Sequence, residues 1–311
     1  MHDCVVVGAG PAGLTAAIYL GRFRRDVRVV ESGASRAARI PLSRNHPGFP
    51  EGVRGRELLA RMRQQAEKYG AVIQSGRVED LIPQRDGFRL VTAEGELSGR
   101  TVLLATGVVD IEPDIPGVQE GVARGLIRIC PICDGYETIG TRVGVIGRDA
   151  HAAREAIFLR AYSDEVALIH GGKPQDLPEA CRAELAEAGV EVIEAPIESV
   201  VLDEERISAL CFGPDSTRRF DSLYAGLGVQ PRTQLAVQAG ARLDENGRLV
   251  VGEHQETSVP GLYAAGDVVR GLNQISTAEG EGAIAATHIH NVLRAAGRVT
   301  AKSAASISAV R

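Results

Sequence analysis

The chain begins with a short apolar run rich in β-branched residues, CVVV, which is followed by a glycine turn and an alanine-rich stretch. An apolar run bounded by glycines predicts a buried strand, and the longer stretch AGLTAAIYL predicts a helix. The apolar segment VRVVE then predicts a second strand. The pattern therefore predicts a strand–turn–helix–strand unit, which is typical of an α/β fold with a parallel sheet.

The same order of elements recurs in RVGVIGRDAHAAREAIFL and EVALIH. TVLLATGVV (101–109), which lies between the two copies, predicts a strand that leads out of the first domain, and TSVPGLYAAGDVV, near the end of the chain, returns to it. We expect two Rossmann-like, three-layer dinucleotide-binding domains, with the second inserted into the first. The expected boundaries are 1–112 and 245–311 for the outer domain and 113–244 for the inserted one.

Composition narrows the class of protein. The 311 residues are 44% hydrophobic and 24% charged, as in ordinary globular proteins. The net charge of 35 − 40 = −5 gives no sign of binding to nucleic acid or to anionic membranes. The N-terminus has no basic segment typical of a signal peptide, and no apolar run of about 18 residues predicts a membrane span. We therefore expect a cytoplasmic protein.

Three glycines follow the first predicted strand at the spacing GxGxxG: Gly8, Gly10 and Gly13. Glu31 follows 18 residues after Gly13, at the end of the second strand. In this context the glycines admit a pyrophosphate, the helix N-terminus attracts it, and the acid binds a ribose hydroxyl. The first domain is thus predicted to bind a dinucleotide.

The second copy lacks these binding residues. When the sequences of the two copies are aligned, Gly147 corresponds to Gly8, but Asp149 replaces Gly10 and His170 replaces Glu31. A carboxylate at the pyrophosphate position repels it by roughly 4 kcal/mol at 4 Å and an effective dielectric of about 20. We therefore expect NADPH to be a poor ligand. A preference for NADH is not indicated either, because no acid stands at the end of the strand.

The segment CPICDG places Cys130 and Cys133 two residues apart, with Asp134 next to them. Such a pair can bind a metal, cycle between dithiol and disulfide, or do neither. A structural zinc site needs about four ligands, and no second Cys/His pair follows at the usual spacing. A helix start lowers a thiol pKa and raises the thiolate fraction, so redox chemistry fits better than zinc.

Taken in order, these motifs resemble the low-molecular-weight bacterial thioredoxin reductases. The resemblance rests on GAGPAG, NHPGFPEGVRGRELLARMRQQAEKYG, LLATG, CPICDG, GLGVQPRT, GLYAAGDVV and GLNQISTAEGEGAIAA. It implies an FAD-dependent disulfide oxidoreductase, a homodimer, and a partner that is a thioredoxin-like protein or a small disulfide or dithiol.

The resemblance also implies roles for individual residues. Cys133 would face the flavin, Cys130 would exchange with the partner disulfide, and Asp134 would transfer a proton as the thiolates form. Asp267 would bind the ribityl chain, and Gln274, before a helix that faces the isoalloxazine, would contact the flavin. The implied FAD-binding residues are Gly8, Gly10, Pro11, Ala12, Gly13, Glu31, Asn45, Thr106, Gly107, Gly266, Asp267, Gln274 and Ile275. Asn273 stands where the family usually has arginine.

NADPH-using members of the family carry a His-Arg-Arg stretch where this chain has His170, Gly171 and Gly172, which leaves Lys173 as the nearby cation. Three hypotheses follow. The first is a disulfide oxidoreductase whose electrons come from another donor, such as ferredoxin or a reduced flavin. The second is a dithiol oxidase that uses O₂, and the third is a redox-sensing flavoprotein without turnover. The closing stretch GRVTAKSAASISAVR predicts a flexible end.

Overall fold

A computed structural model describes residues 1–170, 176–202, 207–213 and 216–297. Gly171, Gly172 and Lys173 lie outside the described residues, and so does the closing stretch after Gly297. The expectations for these two segments therefore stay predictions. No helix among the described ranges is both long and apolar enough to cross a membrane.

The strands alternate with helices for most of the chain, as the apolar pattern predicts. Within the described residues the strands are β1 (His2–Val7), β2 (Val27–Glu31), β3 (Val72–Ser75), β4 (Val78–Gln84), β5 (Gly87–Thr92), β6 (Gly95–Leu104), β7 (Val108–Asp110), β8 (Ile127–Arg128), β9 (Arg142–Gly147), β10 (Glu165–His170), β11 (Glu191–Ile193), β12 (Ser199–Leu202), β13 (Ile207–Gly213), β14 (Ser216–Arg218), β15 (Ser222–Ala225), β16 (Val229–Pro231) and β17 (Leu262–Ala264).

The longest helix follows the last strand. The α-helices are α1 (Pro11–Arg22), α2 (Gly55–Lys68), α3 (Val118–Ala123), α4 (Pro131–Asp134), α5 (Ala150–Leu159), α6 (Glu179–Glu187), α7 (Gln234–Gln238) and α8 (Ile275–Ala295). Among the described residues, short 3₁₀ helices span Arg36–Arg39 and Gly135–Thr138.

The chain divides into two compact units. Unit 1 comprises residues 1–42, 46–109 and 231–311, and unit 2 comprises residues 43–45 and 110–230. The sheet of unit 1 has the strand order β3-β2-β1-β6, with β17 also paired to β6. These pairings are parallel, and the antiparallel strands β5 and β4 extend from the first half of β6.

Unit 2 repeats this plan. Its five-stranded sheet has the order β11-β10-β9-β15-β8, and an antiparallel sheet β12-β13-β14 takes the place of the β4–β6 meander. The strand at the β8 edge of this sheet corresponds to β17 in unit 1. The two differ in chain order, because β8 precedes the other strands of its sheet whereas β17 follows the other strands of its own. The two connecting strands, β7 and β16, pair with each other.

The sheet of unit 1 is covered on both faces, which gives three layers. One core cluster joins β1 and β2 to α1, α2 and α8, and it includes Leu14, Leu20, Leu58 and Ile289. The other cluster contains apolar residues of the meander, α7 and the segment after it, including Phe88, Leu90, Leu235 and Leu249. Strands covered on both faces read as continuous apolar runs, which explains why CVVV and TVLLA show no alternation.

The second crossing between the units lies earlier than the expected boundary at 244. Unit 2 ends at Gln230, 14 residues before that position (244 − 230), and the first crossing lies at 109 rather than 112. The difference arises because α7 packs on unit 1. Leu235 and Ala236 are buried in its core, and the Gln238 side chain donates to Glu79 O over 3.3 Å.

Candidate active site

The first glycine turn has the close packing that its sequence predicts. Gly8 has a φ of +110°, and a Cβ there would lie 2.2 Å from Ala105 O. A Cβ on Gly13 would lie 2.0 Å from Gly8 O, so no larger residue fits at either position. Gly10 is different, since a Cβ there would meet nothing nearer than Ser35 Oγ at 3.5 Å. Its missing side chain leaves open space beside the turn.

Gly10 is also the N-cap of α1, and no side chain caps this helix. Pro11 occupies the first helical position and carries no N–H, while Ala12 and Gly13 follow in the first turn. An uncapped N-terminus of a 12-residue helix provides backbone donors and a positive dipole end for an anion. Glu31 lies at the end of β2, and its carboxylate forms an ion pair with Arg63 of α2.

Asp267 follows β17 after Gly266, which has a φ of +81°. Arg36 Nη1 lies 3.4 Å from Asp267 Oδ2. Gly266 N donates to Glu281 Oε2 of α8 over 2.7 Å. The pKa of Glu281 is raised to about 6, chiefly by burial; the Gly266 hydrogen bond opposes this rise, and the neighbouring Asp267 charge adds to it.

Gln274 is the N-cap residue of α8, and Ile275 is the first residue of that helix. Asn273, in place of the family's usual arginine, accepts a hydrogen bond from Arg248 Nη1 over 3.0 Å. The same Arg248 nitrogen donates to Asp267 O and Val269 O, at 2.7 and 3.1 Å. Arg248 therefore binds the turn at Asp267 to the segment that starts α8.

Thr106 and Gly107 follow β6, at the same edge of the sheet as the glycine turn. Thr106 Oγ1 donates to Arg232 O over 2.7 Å, and Gly107 has a φ of +65°. Asn45 belongs to unit 2, where its side-chain oxygen accepts a hydrogen bond from Ser43 Oγ over 3.1 Å. The structure therefore brings together in unit 1 all the implied FAD-binding residues except Asn45.

Cys130 and Cys133 form a disulfide. Cys130 is the N-cap of α4, and Cys133 N donates to Cys130 O over 3.0 Å. Both cysteines are only partly buried, and Ile132 between them is 50% exposed. By contrast Cys4, Cys181 and Cys211 are free thiols, and burial raises the pKa of Cys4 to about 12. The pair is therefore an accessible disulfide on a single helical turn.

Asp134 ends the same helical turn and is hydrogen-bonded from two strands. Its Oδ1 accepts from the Tyr224 hydroxyl over 2.8 Å, and its main-chain oxygen accepts from Arg128 Nη1 over 2.8 Å. Burial raises the pKa of the Asp134 carboxyl, while the Arg128 charge and the Tyr224 hydrogen bond act in the opposite direction. Asp134 is therefore a carboxyl group that holds its proton more tightly than an ordinary aspartate does, which suits it to proton transfer.

In unit 2, a side chain of the corresponding turn caps the N-terminus of α5. Asp149 is the N-cap of α5, and its Oδ1 accepts hydrogen bonds from His151 N at 3.0 Å and Ala152 N at 3.2 Å. These are donors of the kind that a pyrophosphate uses at a helix N-terminus. The two turns thus differ in one respect that matters for binding: α1 has an open N-terminus, and α5 has a capped one.

His170 ends β10 at the position that Glu31 occupies in the first unit. Its ring is 1% exposed, and Nε2 donates to Arg148 O over 3.2 Å. A buried ring that is bonded to the main chain is not available to a ribose or its phosphate. In the described part of the chain, no group of three or more His, Cys, Asp or Glu side chains is arranged to bind a metal ion.

Comparison with known proteins identifies the family. The profile of the pyridine nucleotide-disulphide oxidoreductases matches residues 2–282, which is most of the chain. The chain belongs to this family. Within it, the chain is an enzyme of the thioredoxin-reductase-like flavin disulfide oxidoreductase type, as its resemblance to known proteins had implied.

Individual relatives agree over nearly the whole length. The thioredoxin reductase of Listeria innocua is 29% identical over 297 residues, which cover 92% of each chain. The crystal structure of the Streptococcus pyogenes thioredoxin reductase is 27% identical with a TM-score of 0.88, covering 95% of this chain and 99% of that one. The crystal structure of HlmI is 33% identical with a TM-score of 0.85, covering 96% of both chains. The α/β fold with two Rossmann-type domains is thereby confirmed.

Four residues near the candidate sites were missed by sequence reasoning: Arg128, Tyr224, Glu281 and Arg248. Tyr224 carried a signal, since a tyrosine in a buried strand requires a partner for its hydroxyl. Glu281 also carried one, because an acid on the apolar face of a helix is unusual. Nothing in the local pattern singled out Arg128 or Arg248, because their partners lie on other elements.

Proposed function

We propose that the protein holds FAD in unit 1 and passes two electrons between the flavin and a substrate disulfide through Cys130 and Cys133. The observation that carries this proposal is the accessible Cys130–Cys133 disulfide, which shares a helical turn with Asp134. A disulfide of this kind, with an adjacent carboxyl group of raised pKa, combines the sulfur exchange partner with a proton source.

The glycine turn of unit 1 fits FAD. Gly8 and Gly13 allow the close packing of turn, strand and helix, while Gly10 and the uncapped α1 N-terminus leave space and donors for the pyrophosphate. Glu31 would bind a ribose hydroxyl of the adenosine half, and Asp267 would bind the ribityl chain. Bound flavin would supply the electron transfer between the cysteine pair and a donor or acceptor that is not a thiol.

The protein's own groups would carry the exchange in balanced steps. The Cys130 thiolate attacks the substrate disulfide, so one S–S bond forms as another breaks, and the departing thiolate takes the proton of Asp134. The Cys133 thiolate then attacks Cys130 Sγ and releases the second substrate thiolate. Two electrons have passed from the cysteine pair to the substrate, and the reverse sequence would oxidise a substrate dithiol.

We further propose that NADPH is not the efficient electron donor. Asp149 is bonded to the α5 donors that a pyrophosphate would need, and its negative charge would repel that group. An alternative donor, such as a ferredoxin or another reduced flavin, fits this arrangement. So does the second candidate function, a dithiol oxidase that uses O₂, because neither needs a nicotinamide.

The partner we propose is a thioredoxin-like protein or a small disulfide. Support comes from the relatives, which are themselves described as thioredoxin reductases. The exposed Ile132 between the two cysteines supports it as well, since it gives the disulfide an apolar surface that a partner can cover.

Anaerobic flavin bleaching tests these proposals together. Purified flavin-loaded protein is mixed with NADPH, NADH or a dithiol, and absorbance in the visible flavin band is followed. We expect slow bleaching by both nicotinamides and fast bleaching by the dithiol. Cys130→Ser should abolish the dithiol reaction. Peroxide formed on adding air would favour the oxidase over the reductase direction.

Asp149→Gly should raise the rate of bleaching by limiting NADPH at least about tenfold, because it removes one charge and frees two backbone donors. Asp164→Gly is the matched control, since this exposed acid lies beyond the other end of α5. Fast bleaching of the unaltered protein by NADPH would disprove the proposal about the donor. Full dithiol turnover in Cys130→Ser would disprove the role of the cysteine pair.

A further inference from the structure

Two side chains from adjacent strands meet at Asp134. Arg128 lies on β8 and Tyr224 on β15, and the register of these parallel strands pairs the two residues directly. The Arg128 guanidinium lies over the Tyr224 ring, with Cζ 6.0 Å from the ring centroid. Because β8 leads straight into CPICDG, this pair of residues stands beneath the helical turn that carries the disulfide.

The hydrogen bonds around Asp134 distinguish its two carboxylate oxygens. The Tyr224 hydroxyl donates to Oδ1 over 2.8 Å and also reaches the main-chain oxygen at 3.2 Å. Arg128 Nη1 donates to that main-chain oxygen over 2.8 Å and lies 3.5 Å from Oδ2. Oδ1 therefore has a close side-chain donor, whereas the contact of Oδ2 with Arg128 is a longer ion pair.

Tyr224 is a permanent donor. Its side chain is fully buried, and burial together with the nearby Asp134 charge raises the pKa of its hydroxyl well above the ordinary range. It therefore keeps its proton at any pH at which the protein works, and it donates a hydrogen bond to Oδ1 of the Asp134 carboxylate.

The other polar groups around this turn are few in the described part of the chain. Glu137 follows in the 3₁₀ turn and raises the pKa of Asp134 by charge repulsion, and Arg44 lies 3.7 Å from Glu137. Tyr162 packs against Gly135, and no hydrogen bond joins its hydroxyl to Asp134. Arg128 and Tyr224 are thus the two groups that act directly on the Asp134 carboxylate in favour of its charged form.

We infer that Arg128 and Tyr224 are positioning residues that hold Asp134 so that Oδ2, and not Oδ1, carries the proton of the exchange reaction. The inference rests on the proposed function of the cysteine pair. During attack by the Cys130 thiolate, the departing substrate thiolate would take the proton from Oδ2, and the remaining carboxylate would be stabilised by Tyr224 and Arg128. No electrons move in this proton transfer, and the S–S exchange balances as given above.

The test compares two substrates that differ in their need for a proton. Flavin-loaded protein is reduced, freed of reductant under argon, and mixed with hydroxyethyl disulfide or with an aromatic disulfide whose thiolate leaves without a proton. An aliphatic leaving thiol has a pKa of about 8.5 or more, so only the first reaction needs an acid. Its rate should rise with pH as thiolate forms and fall again as Asp134 loses its proton.

Removing either positioning group should move the falling limb. Tyr224→Phe removes one hydrogen bond to a charged group, and we expect that limb to shift upward by about one pH unit. Arg128→Gln should shift it upward as well, and Arg128→Lys, which keeps the charge, should restore most of the original profile. The pH profile of the rate with the aromatic disulfide should have a rising limb and no falling limb in any variant.

Matched controls separate this role from a structural one. Tyr162→Phe removes a hydroxyl nearby that does not touch Asp134, and its profile should equal that of the unaltered protein. If Tyr224→Phe and Arg128→Gln slow both substrates equally, or leave the falling limb in place, the inference is wrong. If the unaltered protein exchanges with neither disulfide, the proposed function itself fails.

Discussion

At the scale of single residues, Glu281 lies beneath the turn that carries Asp267 and is the acid with the clearest consequence for stability. Its pKa of about 6 in the folded protein stands above the ordinary value of 4.5. The folded state therefore binds a proton more tightly than the unfolded chain does. Below about pH 4.5 both states are protonated and no stability is lost. As the pH rises from about 4.5 through about 6, Glu281 becomes charged while it is partly buried, and the free energy of unfolding falls.

Glu281→Gln should remove this dependence. We expect the unfolding free energy of the unaltered protein to fall by about 1 kcal/mol between pH 4.5 and pH 6.5, after allowance for solvent screening at a partly buried group. The variant should show a flatter profile when urea unfolding is measured at each pH. Glu253→Gln, at a side chain that is 86% exposed, is the control. An equal slope in both variants would contradict the assignment.

At the scale of elements, the contact between α1 and α8 depends on one glycine. A Cβ on Gly282 would lie 2.3 Å from Ala12 O, so the helices approach each other more closely than alanine would allow. Ala12 also belongs to the glycine turn, and a Cβ on Gly266 would lie 3.0 Å from its methyl group. The packing of α8 therefore supports the turn that is proposed to bind the pyrophosphate.

Gly282→Ala should destabilise the protein by about 1–3 kcal/mol, because the added methyl group must displace helix backbone. The melting temperature and the fraction of FAD retained after gel filtration should both fall. Gly280→Ala is the matched control on the same helix, since nothing lies within 4 Å of its Cβ position. It should stabilise the protein by about 0.5–1 kcal/mol. A Gly282→Ala variant as stable as the parent would refute the close approach.

The sequence predicted elements best where the signal is local. The strand, glycine turn, helix and acid of the first unit lie within 31 residues, and each was placed correctly. The network of Asp134 was not predictable, since Tyr224 lies 90 residues away in the chain. The domain boundary at 244 stays a prediction, and the compact unit 2 ends at Gln230. Residues 234–244, which follow the motif GLGVQPRT, carry no motif of their own, and their packing in the core of unit 1 shows where they belong.

At the scale of the whole molecule, the two units have separate cores. The clusters of unit 2 include Leu159, Leu168 and Tyr224 on one side of its sheet and Ile127, Ile169 and Leu223 on the other. The implied flavin-binding residues lie in unit 1, apart from Asn45. A ligand stabilises only the part of a protein whose unfolding would release it.

Hydrogen exchange should therefore respond to FAD in one unit. At a flavin concentration about 100 times Kd, exchange through unfolding of the binding unit should slow by about a hundredfold. We expect this slowing for the amides of β1 and β2 when flavin-free and flavin-loaded protein are compared by mass spectrometry. The amides of β9 and β10 provide the internal reference and should change little. Equal slowing in both sheets would show that the units unfold together.

The different chain order of β8 and β17 has a consequence for how the two halves of the molecule are related. The fifth strand comes last in the chain order of the first sheet and first in the chain order of the second. This difference is a circular permutation, which leaves the strand neighbours unchanged. Each fifth strand is followed directly by a candidate functional segment, Asp267 after β17 and the disulfide after β8. The same architectural position thus carries the acid that is proposed to bind FAD in one half and the Cys130–Cys133 disulfide in the other.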